Sequence, residues 1–268
     1  MTPSVAPDER TLLIGGRHTR VLNAGSGPAL VWLHDSFGNR WTRGHDELAA
    51  HISLLAPSLP GFERTDELAG IDGPEDIVFW LLDLLPQLGV SRPVLGGGGL
   101  GGWMAAEFAV RYPERIGGLV LVDAYGLKVE GALPADEFAL TTPQLRPLLF
   151  SDPEGALAQE WLPDQEPPER VEQTLRARVG AARLAWQFPY SPKLRTRLGR
   201  AGLPACVIWG DEDRLVPQAH AHAWAEGLPD ARLRLFEGAG HYPYMDDPAG
   251  FATDVVEFMA TLQPNPPD

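Results

Sequence analysis

The stretch Gly96-Gly97-Gly98-Gly99-Leu100-Gly101-Gly102-Trp103 decides how this chain is read. Six of the 29 glycines fall in residues 96–102. They follow the β-prone Pro93-Val94-Leu95 and precede an apolar stripe through Met104, Phe108 and Val110. A glycine run between a strand and a helix marks a turn where the backbone must bend sharply or approach another group closely. Gly96, Gly98 and Gly101 satisfy G-x-G-x-x-G, and Asp123 ends the next apolar run, 22 residues after Gly101. In a dinucleotide-binding protein such glycines admit a pyrophosphate to a helix N-terminus, and the later carboxylate takes a ribose hydroxyl. A run of glycines satisfies almost any glycine pattern, so this is the weaker reading. No Gly-Lys-Ser/Thr follows, which excludes the triphosphate-binding loop.

Working outward, Leu30-Val31-Trp32-Leu33, Ile52-Ser53-Leu54-Leu55 and Leu119-Val120-Leu121-Val122 are further short apolar runs. Runs of this kind suit strands buried on both faces of a parallel sheet. Glu75 to Leu88, opened by Pro74, and Leu100 to Tyr112 are the helices between them. Strands alternating with helices imply right-handed crossovers and a doubly wound α/β core. The alternation stops after about residue 125. Residues 126–203 are Pro-punctuated, with helices expected near Pro143–Phe150, Pro153–Trp161 and Glu169–Trp186 and no convincing strand. It resumes with a strand at Ala205–Trp209, a helix at Gln218–Gly227, a strand at Leu233–Phe236 and a closing helix at Phe251–Leu262. The organisation expected is a core formed by 1–125 and 204–262, a helical cap at 126–203 over the carboxyl edge of the sheet, and a disordered tail at 263–268.

Ordered landmarks then give the chain a family resemblance. They are Leu33-His34-Asp35-Ser36, Pro57-Ser58-Leu59-Pro60-Gly61-Phe62, Gly97 to Trp103, and Tyr112-Pro113-Glu114-Arg115. Trp209-Gly210-Asp211-Glu212-Asp213-Arg214-Leu215-Val216-Pro217 and Gly240-His241-Tyr242-Pro243 complete the series. From about Leu12 to Leu262 the chain resembles the α/β-hydrolase superfamily, in particular its lidded esterases, lactonases and carbon–carbon bond hydrolases. The resemblance implies a mostly parallel sheet of about eight strands, helices on both faces and a helical cap.

In that family the strand-to-helix turn reads G-x-S-x-G and exposes the serine hydroxyl at a helix N-terminus. Aligned by Leu100 to Trp103, the nucleophile position is Gly99, which has no hydroxyl and can form no acyl-enzyme. The resemblance assigns the acid to Asp213 and the base to His241. Asp213 would hold the imidazole in one tautomer and leave its other nitrogen to move a proton. Asp211 and, more remotely, Asp123 are substitute acids; the alternative for the pair is a carboxylate and a histidine on loops that do not touch. By register the N–H groups of Ser36 and Leu100 would form the oxyanion hole. Relatives usually read His-Gly at that loop, whereas here His34 is followed by Asp35. A carboxylate there either opposes a developing oxyanion or caps a neighbouring turn. Ser36 offers a hydroxyl, but from the wrong loop for the usual attack. Trp103 reads as packing beneath the cap or as a substrate contact. Trp186 and Phe188 could wall an apolar pocket or fill the core.

With Lys+Arg 22 against Asp+Glu 36, the net charge of −14 disfavours nucleic acid as a partner, and no basic run appears. No apolar run approaches the ~20 residues of a membrane span, and the opening MTPSVAPDER has no signal-peptide character. A cytoplasmic protein with a small-molecule ligand, no nucleic acid and no membrane is expected; a homodimer is left open. Cys206, the single cysteine, reads as a small core residue. His18, His45, His51, His220 and His222 have no carboxylates at metal spacing, so neither a metal nor a cofactor is expected. Three functions stay open. One is a hydrolase for a small apolar carbonyl or ester compound whose serine has been replaced, by nature or by design. The second is a nucleophile-less enzyme, akin to a lyase or a cofactor-free oxygenase, with His241–Asp213 as general base. The third is a ligand-binding homologue without turnover.

Overall fold

Apolar runs without alternation form strands here because the sheet they enter is covered on both faces. The computed structural model describes residues 6–66, 70–185 and 187–262. Its strands are β1 (Asp8–Ile14), β2 (Arg17–Ala24), β3 (Ala29–Leu33), β4 (Ser53–Pro57), β5 (Val94–Gly98), β6 (Gly118–Val122), β7 (Pro204–Gly210) and β8 (Asp230–Phe236). They form one sheet in the order β1-β2-β4-β3-β5-β6-β7-β8. Pairing is parallel from β4 through β8, and β2 runs antiparallel to both of its neighbours.

The core helices are α1 (Arg43–Ala49), α2 (Pro74–Gln87) and α3 (Gly99–Ala109). Between β6 and β7 lie α4 (Thr142–Leu149), α5 (Ala156–Trp161), α6 (Pro168–Ala185) and α7 (Leu194–Arg197), with α8 (Ala219–Gly227), α9 (Pro243–Asp246) and α10 (Pro248–Ala260) after them. The three helices expected between 126 and 203 are present, α5 beginning later because Gly155 occupies its N-cap. The short 3₁₀ turn Glu137–Ala139 and α7 were not foreseen. Gly126 and Tyr190 form an isolated parallel bridge, which holds residue 190 beside the carboxyl end of β6 before the chain runs on through α7 to β7. Trp186 and the tail 263–268 lie outside the described residues. No helix among the described residues is long and apolar enough to cross a membrane.

The glycine run corrects the first expectation about β5. The strand continues through Gly98, so Gly96, Gly97 and Gly98 belong to the sheet rather than to a loop. Their directions alternate, as strand geometry requires. A β-carbon on Gly97 would run into the Leu33 carbonyl and α3, whereas one on Gly98 would point at Tyr244 and Trp32 on the opposite face. Gly101 would likewise collide with the Leu33 carbonyl, and Gly102 with Ala124. The glycines therefore serve close packing of α3 on β3 and the end of β6. This also removes the dinucleotide reading: the spaces left by the missing side chains are filled by protein. Asp123, assigned there to a ribose, is fully buried and accepts the Gly210 N–H at 3.0 Å.

Candidate active site

The site begins at the β5–α3 turn. Gly99 adopts φ +49°, the left-handed region that glycine enters without steric cost. A β-carbon placed on it would lie 3.2 Å from His241 Nε2, 3.2 Å from Asp35 Cβ and 3.6 Å from the Tyr125 ring. The turn thus aims its missing side chain at a histidine.

His241 follows β8, and its N–H is fixed by donation to the Leu149 carbonyl at 2.8 Å. Its Nδ1 lies 2.8 Å from Asp213 Oδ2, so the two loops do meet. Asp213, beyond β7, accepts the N–H groups of Leu215 (2.8 Å) and Val216 (2.9 Å) on its other oxygen. That arrangement places the Nδ1 proton toward Asp213 and leaves Nε2 directed at Gly99. Burial disfavours the imidazolium, but the charges of Asp213, Asp35 and Glu137 outweigh it and hold the His241 pKa above its ordinary value. Asp123 is the third member. Burial and then the Asp213 charge raise its carboxyl well above the usual carboxylate range, so the two acids share a site that cannot hold two full charges. Of the two substitute acids, Asp123 adjoins the dyad, while Asp211 accepts the Gly238 N–H instead. Asp123, Asp213 and His241 each offer a ligand atom within 4.8 Å of the others. Both Asp213 oxygens are already engaged, which suits a proton relay better than a metal site.

The loop after β3 forms the second wall. His34 Nδ1–H donates to the Asp35 carbonyl at 2.7 Å, and its Nε2 accepts the Leu59 N–H at 2.9 Å, which ties this loop to the one after β4. His34 is therefore a positioning residue. Of the two readings of Asp35, the structure shows the cap: Oδ1 accepts the Phe37 N–H at 2.8 Å, and the carboxylate is buried facing the Tyr242 hydroxyl. The Ser36 hydroxyl donates to Glu137 Oε1 at 2.8 Å and is engaged there rather than free to attack. Leu100 stands in the first turn of α3, where backbone N–H groups have no helical acceptor.

Two residues that sequence reading did not single out, Glu137 and Tyr242, complete the enclosure. Glu137 is 3% exposed and, besides Ser36, accepts the Tyr125 hydroxyl at 3.0 Å and Arg178 Nη1 at 3.3 Å. Burial raises its pKa against the Arg178 charge and the Ser36 hydrogen bond, which lower it. Tyr242 is buried next to His241, its ring centroid 5.1 Å from the imidazole, and its hydroxyl faces the Asp35 carboxylate. Burial, and then the Asp35 charge, raise that phenol well above its ordinary value.

The profile described as the alpha/beta hydrolase family matches residues 18–255. The chain belongs to that family. Among its relatives, an uncharacterised protein of Mycobacterium tuberculosis is 29% identical over 271 residues, covering 90% of this chain and 78% of that one. The 2-hydroxy-6-oxo-6-phenylhexa-2,4-dienoate hydrolase of Burkholderia cepacia is 26% identical over 263 residues, covering 89% of this chain and 90% of the other. The solved structure of the enzyme of that name from Rhodococcus superposes with a TM-score of 0.79 at 20% identity, over 96% of this chain and 100% of the other.

Within this alpha/beta hydrolase, the remaining expected residues fall away from Gly99. Trp103 is buried against Gly126, where a β-carbon would strike its ring, and its Nε1–H donates to Glu107 at 3.2 Å. Its placement is that of a packing residue. Phe188 is half exposed and lines a separate cavity beside Tyr125 and Glu137. His18 does have a carboxylate partner, exposed Asp66 at 3.2 Å, and His220 Nε2 donates to the Ala132 carbonyl at 2.6 Å. His45 is fully enclosed beside Thr42, and burial pushes it down to about 4.

Proposed function

We propose that this alpha/beta hydrolase acts on a small carbonyl compound of apolar body by general-base chemistry, without an acyl-enzyme. The observation that carries the reading is the pairing of an intact, buried His241–Asp213 dyad with a glycine where its free nitrogen points. Nε2 would remove a proton from the carbon next to the carbonyl. The proton forms the imidazolium, which Asp213 stabilises, and the electron pair moves toward the carbonyl oxygen. The N–H groups of Ser36 and Leu100 would face that oxygen. Return of the proton from Nε2 closes the cycle, with no cofactor needed. The acidic surroundings that raise His241 favour a base that must hold its proton through a reaction. Residues 126–203 serve as the cover of the site, and Glu137, which comes from that segment, reaches its wall.

The test is deuterium exchange from heavy water into the acidic C–H positions of a panel of aromatic and aliphatic ketones, followed by NMR. Exchange is expected in the wild type, rising with pH through a His241 pKa above 6.5. It should fall by about 10²-fold or more in His241→Ala. Exchange that survives this substitution overturns the reading. A second reading, a carrier without turnover, draws on the burial of Gly99, Asp35 and His241 together. It predicts saturable ligand binding with no exchange in the wild type.

A further inference from the structure

Helix α6 carries two apolar faces, and the fold uses one of them. Ala177, Gly180, Ala181, Leu184 and Ala185 are buried on the inner face. Gly180 packs there so closely on Phe62 that a β-carbon would strike its ring at 2.7 Å. On the outer face Val171, Leu175 and Val179 are 49%, 62% and 49% exposed. Residues four apart fall on one side of an α-helix, so the three form a continuous stripe. A contiguous apolar stripe marks a contact surface, as scattered surface hydrophobes do not. The stripe is also indented. Leu175, Val179 and Gly180 border a cavity of about 170 Å³ against Gly61, with Arg176 and Arg183 at its rim.

The charges beside the stripe are ordered along the helix. Glu169, Glu172, Arg176 and Arg183 lie exposed on one flank, the acids in the N-terminal half and the cations in the C-terminal half. Arg176 Nη1 donates to the Glu63 carbonyl at 2.6 Å, which fixes that guanidinium on this flank. When two identical helices pair antiparallel, like flanks meet with their directions reversed. A two-fold axis near Leu175 therefore sets Glu169 and Glu172 of each copy opposite Arg183 and Arg176 of the other. The same axis sets Val171 opposite Val179, where the cavity has room for an aliphatic side chain. A net charge of −14 opposes indiscriminate self-association. This face is a local exception because it carries both signs in complementary order.

We propose that the partner of this face is a second copy of the chain, bound through α6 in an antiparallel, two-fold symmetric pairing. The apolar stripe forms the centre of the contact and the four charged residues its rim, as in other protein interfaces. Each Glu–Arg pairing then occurs twice. Exposed ion pairs contribute little affinity, so the stripe supplies the binding and the charges select the antiparallel direction. Arg178, on the other flank of α6, donates to the carboxylate and the carbonyl of Glu137. The pairing would thus brace the helix that holds this wall of the site.

Sedimentation equilibrium of the full chain from about 1 to 100 µM, the weak end of interface affinities, decides it. A reversible monomer–dimer equilibrium is expected. Leu175→Glu, at an exposed position, should leave a monomer with an unchanged circular dichroism spectrum. Glu172→Arg and Arg176→Glu should each weaken the dimer about tenfold or more, since like charges then meet twice. Mixing these two variants should restore the wild-type affinity, because both pairings again join opposite charges. If Arg176→Glu does not fold without its bond to Glu63, Glu169→Arg mixed with Arg183→Glu makes the same comparison. A monomer throughout the wild-type series, a dimer that survives Leu175→Glu, or mixtures no tighter than their single variants would each overturn the proposal.

Discussion

A serine side chain at residue 99 would meet three neighbours at once. Its β-carbon would press on His241 Nε2 and Asp35 Cβ at 3.2 Å, so both must yield by a few tenths of an ångström. The left-handed backbone there costs a non-glycine residue about 1–2 kcal/mol. Gly99→Ser is therefore expected to lower the melting midpoint by a few degrees and to hydrolyse 4-nitrophenyl acetate only slowly, because the Asp35 carboxylate opposes the oxyanion. Adding Asp35→Gly should raise that rate at least tenfold. A single variant as fast as the double would show that Asp35 does not impede acyl transfer. At this scale Gly99, Asp213 and His241 were legible because each sits in a short motif next to a strand end. Glu137 and Tyr242 were not: Glu137 reaches the site from more than a hundred residues after Ser36, with no local pattern around it. Tyr242 adjoins the histidine motif, and that adjacency was the one signal available.

Among the elements, α3 shows most directly how sequence sets position. Its first turns carry glycines because Leu33 and Ala124 occupy the space that side chains would need. Gly101→Ala drives a methyl group into the Leu33 carbonyl, and the helix must lift from β3. Overpacking of this kind costs about 1–3 kcal/mol. A fall in the urea midpoint of that size is expected, together with loss of carbon-acid exchange because the turn at Gly99 moves with the helix; a neutral effect on both would contradict the packing argument. The buried central strands were legible from their apolar runs. The β1–β2 hairpin was not, since its residues are largely polar and half exposed, and the antiparallel edge gives no continuous apolar run. The carboxyl end of β5 was misread as loop because glycine has little strand propensity. There the need for close packing overrides it.

For the whole molecule, acid–base behaviour follows from where the buried acids lie. Asp123 has a folded-state pKa raised well above 3.8. Its stabilising contribution is thus fully present below 3.8 and is lost as pH rises through the raised value. Asp123→Asn keeps an acceptor for the Gly210 N–H and a donor toward Asp213 but cannot ionise. Its urea midpoint should gain on the wild type progressively as pH climbs from 4 to 9, whereas parallel curves would mean that Asp123 does not titrate in this way. His45 acts with the opposite sign: lowered to about 4, it removes stability as pH falls below 6.5. The bridge between Gly126 and Tyr190 has a separate consequence. Since residues 126 and 190 are held side by side, a change of length between them adds little loop-closure cost. Insertions in the exposed turns between these two residues are expected to leave the strand register intact, whereas any that shift Leu149, whose carbonyl accepts the His241 N–H, would reach the dyad itself.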